Sequence, residues 1–140
     1  MRIVIDSNIL FSALVKDALT RKLILEYEES FLFPSFIFEE LEKHKDELRR
    51  KSKMTNNEFS LLLKVLLEKM EFIPEEKLDP YIDDAFKIIK KIDENDVLFF
   101  ASVLAFPESV LWSDDKRLKK QSQVIIMNTT EFMLFITSKK

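Results

Sequence analysis

The chain has 140 residues, of which 46% are hydrophobic, and its formal net charge at pH 7 is −3. This apolar content is sufficient for one domain with a hydrophobic core. Because the net charge is weakly negative, the protein would need local basic patches to bind a nucleic acid. Cysteine and glycine are both absent, which excludes disulfides, thiolate metal sites and the glycine-rich phosphate loops of nucleotide-binding folds.

Strand patterns and helix patterns alternate along the chain. Short runs of β-branched and aromatic residues predict strands over residues 3–5, 31–33, 72–73, 110–112 and 124–127. Apolar residues at helical spacing predict helices over about residues 9–14, 18–28, 36–53, 56–69, 80–91, 97–106 and 130–136. Because strands that alternate with helices form a parallel sheet covered on both faces, we predict a single α/β domain over residues 1–140. Its architecture would be a three-layer α/β/α sandwich around a central, mainly parallel sheet of four to five strands.

Two helix starts are predicted from capping residues. Ser35 follows Pro34 and is a suitable N-cap for the third helix. Thr55 and Glu58 have the spacing of a capping box, in which each side chain bonds the backbone of the other residue.

The predicted location is the cytoplasm, without contact with a membrane. The longest apolar run, residues 97–106, is too short to span a bilayer and is interrupted by Ser102. The first strand begins almost at once, which leaves no room for a signal peptide. The lack of cysteine is compatible with a reducing compartment.

Acidic residues follow two of the predicted strands at the point where each strand ends. Asp6 comes directly after the first strand, and Asp114 and Asp115 follow the strand over residues 110–112. Because parallel strands point in the same direction, these acids must share the carboxyl edge of the sheet, where ligands bind in open α/β folds.

Further acids lie on helices, and together the acids favour a metal site. Asp96 begins the helix before the strand over residues 110–112, and Glu39 and Glu40 lie about one turn into the helix that follows the second strand. Carboxylates that lie close together without compensating charge repel one another, and a bound divalent cation usually neutralises this repulsion. Oxygen ligands favour Mg²⁺ or Mn²⁺ over Zn²⁺ here, since the chain has no cysteine and one histidine.

Each acid also has a purely structural interpretation. Asp6 and Asp96 could cap the helices that follow them, and Glu40 could be a solvated helix residue. Asp114 and Asp115 could be turn residues. Only the joint placement of these acids favours a metal centre, and carboxylates that hold Mg²⁺ are a usual arrangement for the cleavage of phosphodiesters.

Four segments of the chain, taken together, resemble the PIN-domain nuclease family. They are residues 3–10, 34–41, 93–102 and 111–118, in this order. The resemblance implies a PIN-like fold in which an Asp, a Glu, an Asp and a final Ser-x-Asp line Mg²⁺ or Mn²⁺ at the carboxyl edge. The residues that match this pattern are Asp6, Glu40, Asp96, Ser113 and Asp115. The resemblance implies that the four acids are catalytic and that Ser113 supports them.

Three neighbouring residues complete the site that the resemblance implies. Asp114 is an alternative to Asp115 and a further candidate metal ligand, and Glu39 is the alternative to Glu40. Asn8 resembles the small polar residue that supports the first Asp of the family.

The resemblance implies that the chain cleaves single-stranded RNA by means of a metal-activated water. Many members of the family are VapC-type toxins of toxin–antitoxin pairs, so an antitoxin protein is a candidate partner. The predicted function is therefore a metal-dependent endoribonuclease. The alternative is a catalytically silent PIN-like module that binds nucleic acid or protein.

Two basic stretches and one apolar helix are the remaining candidate surfaces. Arg49, Arg50 and Lys51 at the end of the third helix, and Lys116 beside the final acids, are predicted to contact the backbone of a nucleic acid. The leucine-rich helix over residues 61–67 could bind an antitoxin or a second copy of the chain, although ordinary core packing is the favoured interpretation.

Overall fold

The computed structural model describes residues 1–16 and 18–138, which form a parallel sheet with helices packed against it. The strands are β1 (Arg2–Ile5), β2 (Phe31–Pro34), β3 (Met70–Ile73), β4 (Ser109–Trp112) and β5 (Ile126–Met127). Their order across the sheet is β3-β2-β1-β4-β5, and each neighbouring pair is parallel. Strand β1 is central, and Ile5 at its end is in register with Trp112 at the end of β4.

The helices pack in two groups, apart from the last one, which contacts the edge strand β5. They are α1 (Ser7–Val15), α2 (Ala18–Glu26), α3 (Ile37–Ser52), α4 (Asn56–Leu67), α5 (Glu75–Leu78), α6 (Ile82–Ile89), α7 (Val97–Ala105) and α8 (Thr129–Ser138). Helices α1 to α4 pack against one another, whereas α5 and α6 pack against α7, which itself contacts β1, β2 and β4. The predicted three-layer α/β/α fold around a parallel sheet is confirmed. Within the described ranges, every helix is too short or too polar to cross a membrane.

The capping predictions had different outcomes. The capping box is confirmed, since the Thr55 hydroxyl accepts from the Glu58 N–H at 3.1 Å and the Glu58 carboxylate accepts from the Thr55 N–H at 2.9 Å. The prediction that Ser35 caps α3 is wrong, because the N-cap is Phe36 and no side chain caps this helix. The N–H of Ser35 donates to the carbonyl of Ile73, so its backbone still continues the pairing of β2 with β3.

An aromatic cluster in the core includes Trp112, the last residue of β4. The ring of Trp112 is 4.3 Å from that of Phe132 and 5.9 Å from that of Phe31, measured between centroids. All three residues are fully buried. The indole N–H of Trp112 donates to the hydroxyl of Thr129 at 3.0 Å, which joins β4 to the start of α8.

Replacing Trp112 by alanine should lower the free energy of unfolding by about 4 kcal/mol, because it leaves a large cavity among buried aromatic rings. Urea denaturation followed by circular dichroism measures this loss. Trp112→Phe keeps a ring in place and removes one hydrogen bond, so it should cost about 1–2 kcal/mol. An alanine variant as stable as the phenylalanine variant would contradict the proposed importance of this ring.

Candidate metal centre

Asp6 is held at the carboxyl edge of the sheet by its own backbone and side chain. Its N–H donates to the carbonyl of Trp112 at 3.3 Å, which extends the pairing of β1 with β4 by one residue. Its Oδ1 accepts from the N–H of Ile9 at 2.9 Å, so the carboxylate also caps α1. The hydroxyl of Ser113 bonds the same carboxylate. Asp6 therefore has the structural role of a cap and, with 4% of its surface exposed, a fixed orientation.

The ionised form of Asp6 is disfavoured at this position. Burial raises its pKa to about 6, although the hydrogen bonds from Ser113 and Ile9 act in the opposite direction. The negative charges of Asp114 and Asp115 raise the pKa further. A nearby cation would relieve both the desolvation and the repulsion.

Three more acids approach one another at the same edge. The 3-10 turn Glu94–Asp96 precedes α7, and Asp93 caps this turn by accepting from the N–H of Asn95 at 3.0 Å. Asp115 follows β4 and caps the 3-10 turn Lys116–Lys120. One carboxylate oxygen each from Asp93, Asp96 and Asp115 lie within 4.8 Å of one another. This spacing and this donor chemistry suit a hard divalent cation such as Mg²⁺ or Mn²⁺.

Asp96 connects these acids to Asp6. Burial raises the pKa of Asp96 to about 7, and the charges of Asp93, Asp6 and Asp115 raise it further, while Arg117 lowers it. Raised carboxylate pKa values that arise from burial and from like charges are typical of functional sites. We call Asp6, Asp93, Asp96 and Asp115 the carboxylate cluster.

Arg117 contacts two members of the carboxylate cluster. Its Nε and one terminal nitrogen donate to Oδ1 and Oδ2 of Asp115 at 3.1 and 2.8 Å. The same terminal nitrogen donates to Oδ2 of Asp93 at 3.1 Å. These bonds hold the pKa of Asp115 below its usual range.

Ser113 and Asp114 have different contacts although they are adjacent. The hydroxyl of the buried Ser113 accepts from the N–H of Asp115 at 3.2 Å and also bonds Asp6. Both oxygens of Asp114 instead accept from Thr129, one from its N–H and one from its hydroxyl, each at 2.7 Å. Ser113 thus links two acids of the cluster, whereas the carboxylate of Asp114 anchors the start of α8.

Glu40 is not among the described acids whose oxygens lie within 4.8 Å of one another. Its carboxylate lies 3.5 Å from Nε2 of His44, one turn further along α3. The alternative, Glu39, is exposed on the same helix. Asn8 is exposed on α1 and lines a cavity of about 800 Å³ between α1 and α3, together with His44 and Lys51.

The predicted RNA-binding residues lie in two places. Arg49, Arg50 and Lys51 are in the last turn of α3, where Lys51 pairs with Glu47 at 2.8 Å. Lys116 is exposed beside the cluster and lines an opening of about 270 Å³ with Ser113, Asp114 and Asp115.

Sequence reasoning missed two residues that the fold brings to this site. Asp93 precedes Asp96 by three residues, which is one helical turn, and this spacing was the available signal. Arg117 was one of several basic residues after Asp115, and nothing in the pattern distinguished it from its neighbours.

Comparisons with known proteins agree with the fold. A sequence model of the PIN domain matches residues 4–135, whereas none of the curated proteins compared matches the chain. Among solved structures, the fold is similar to one chain in the crystal structure of VapBC2 from Rickettsia felis, which is bound to a DNA fragment from its promoter. The TM-score is 0.68, the sequence identity is 18%, and the match covers 91% of this chain and 98% of that chain. Because the family model spans nearly the whole sequence, this chain belongs to the PIN domain family.

Proposed function

We propose that this protein is a Mg²⁺- or Mn²⁺-dependent endoribonuclease that hydrolyses the phosphodiester bonds of single-stranded RNA. The main support is the convergence of Asp6, Asp93, Asp96 and Asp115 at the carboxyl edge of the sheet. Burial and mutual repulsion raise the pKa values of Asp6 and Asp96, which is the electrostatic condition that a bound divalent cation relieves.

The residues of the site have separate roles in this proposal. Asp6, Asp93, Asp96 and Asp115 would hold a divalent cation, which would supply a water of lowered pKa and neutralise charge on the leaving oxygen. Ser113 and the N–H of Ile9 fix the orientation of Asp6, and Ser113 also fixes the backbone of Asp115. Lys116, at the opening beside these acids, provides positive charge for a phosphate of the substrate.

We further propose that the chain is the toxin of a toxin–antitoxin pair and acts in the cytoplasm. The likeness to a chain of VapBC2 supports this proposal. Leu61 and Val65 on α4 have 64% and 38% of their surfaces exposed, so this helix offers apolar contacts to an antitoxin or to a second copy of the chain.

Removal of the metal tests the nuclease proposal. Purified protein is incubated with labelled single-stranded RNA of mixed sequence in Mn²⁺ and in EDTA, beside the same sequence as double-stranded RNA and as single-stranded DNA. We expect cleavage of the single-stranded RNA in Mn²⁺, a fall of at least about 100-fold in EDTA, and recovery with excess Mn²⁺.

Two results would contradict the proposal in different ways. Cleavage that persists in EDTA would exclude metal dependence. A protein that binds RNA but cleaves none of the substrates in Mn²⁺ or Mg²⁺ would instead support the alternative of a catalytically silent binding module.

A further inference from the structure

The guanidinium of Arg117 contacts two of the acids that would hold a metal ion. Its guanidinium bonds Oδ2 of Asp93 and both oxygens of Asp115 at 2.8–3.1 Å. Asp93 and Asp115 are also two of the three residues whose carboxylate oxygens lie within 4.8 Å of one another. A divalent cation and a guanidinium repel each other, and both would need lone pairs of Asp115, because Arg117 bonds both of its oxygens. Full occupancy of these oxygens by both is therefore unfavourable.

The local backbone directs Arg117 to this position. Oδ1 of Asp115 accepts from the N–H of Arg117 at 3.0 Å as it caps the 3-10 turn Lys116–Lys120. The side chain then returns over the carboxylate that caps its own turn. Two other cations of this turn are placed differently: Lys119 bonds Glu131, and Lys120 affects Asp115 only through its charge.

We propose that Arg117 is an internal counter-ion that competes with the divalent cation for Asp93 and Asp115 and thereby sets the metal affinity of the centre. This inference rests on the metal centre of the proposed function. Without a cation, the guanidinium neutralises part of the cluster. When a cation binds, the guanidinium leaves these oxygens, and its exposure, 53% of the side chain, allows it to move without opening the core.

Calorimetric titration of the metal-free protein with Mn²⁺ measures this competition without any RNA. We expect Arg117→Gln to bind Mn²⁺ about threefold to fivefold more tightly than the wild type, which is the upper part of the range given by loss of a competing surface ion pair. The matched control is Lys120→Gln, which removes the same charge near Asp115 but no hydrogen bond to the cluster. Its affinity should stay within about twofold of the wild type.

Nuclear magnetic resonance gives a second readout of the same event. The Nε–Hε signal of Arg117, assigned by its absence in Arg117→Gln, should shift when diamagnetic Mg²⁺ saturates the wild type, because its bond to Asp115 is lost. An unchanged signal, or equal affinities of the two variants, would overturn the competition and leave the metal centre and the RNA experiment untouched. If neither the wild type nor the variants bind Mn²⁺, both the competition and the metal-dependent function are overturned.

Discussion

Replacing Asp96 by asparagine is expected to lower the rate of RNA cleavage at least about 100-fold in saturating Mn²⁺. The same substitution should make the metal-free protein more stable. Asp96 is repelled by Asp93, Asp6 and Asp115 and is partly buried, so its charge is unfavourable when no cation is bound. After allowance for its partial exposure, the gain should be about 1–2 kcal/mol at pH 8. Initial cleavage rates and urea denaturation in EDTA measure the two effects.

Asp114→Asn is the matched comparison for this variant. It removes one negative charge next to Asp115, but both oxygens of Asp114 bond Thr129. We therefore expect a cleavage rate within about tenfold of the wild type and a loss of about 1 kcal/mol in stability, because a charge-assisted bond to the start of α8 is weakened. If Asp114→Asn lowers the rate as much as Asp96→Asn, then Asp114 belongs to the metal centre.

The metal-free protein is expected to become less stable as the pH rises from 5 to 8. Asp6 has a folded-state pKa of about 6 against an ordinary value of 3.8, and the pKa of Asp96 is about 7. Between the ordinary pKa of 3.8 and the raised folded-state values, the folded chain binds more protons than the unfolded chain. The free energy of unfolding therefore falls as the pH increases through this range. For the almost fully buried Asp6, the loss between pH 5 and pH 8 is about 1–2 kcal/mol, because the rest of its effect falls below pH 5. Asp115 and Glu131, whose pKa values are lowered, lose stabilisation only at more acidic pH.

Urea denaturation in EDTA at several pH values tests this prediction. Asp6→Asn should make the loss between pH 5 and 7 smaller, and the remaining loss is due to Asp96. In contrast, Asp83→Asn, which changes an exposed acid on α6, should keep the wild-type dependence. Added Mn²⁺ should restore stability at pH 8, because a ligand that binds the folded state alone stabilises it. A wild-type protein that gains stability from pH 5 to 8 in EDTA would refute the assignment of unfavourable charge to Asp6 and Asp96.

The part of the site that could be predicted from sequence is the part that strand direction determines. Asp6 and Asp115 follow strands with clear β patterns, and parallel strands bring their carboxyl ends to one edge. The register of Ile5 with Trp112 shows that these two strands are also neighbours. The alternation of strands and helices was sufficient to predict the three-layer fold. The observed ends of the elements differ from the predicted ends by a few residues, as in β5, which spans Ile126–Met127 and was predicted over residues 124–127.

The remaining positions depend on geometry that apolar periodicity does not encode. Asp93 reaches the cluster through the 3-10 turn Glu94–Asp96, and the pattern showed only a polar break there. The carboxylate of Glu40 lies 3.5 Å from Nε2 of His44 on α3, and apolar periodicity does not show in which direction such a side chain points. Arg117 lies next to the cluster because its N–H donates to Oδ1 of Asp115 in the 3-10 turn Lys116–Lys120. The pattern of basic residues does not show this contact.

The position of Trp112 gives this protein a built-in optical reporter. It is the single tryptophan of the sequence, its carbonyl accepts from the N–H of Asp6, and its indole N–H donates to Thr129. The fluorescence of this indole therefore depends on its contacts with the acidic edge, the central strands and α8. Without any label, its intensity and wavelength can follow cation uptake, detachment of the C-terminal helix and global unfolding in the same sample.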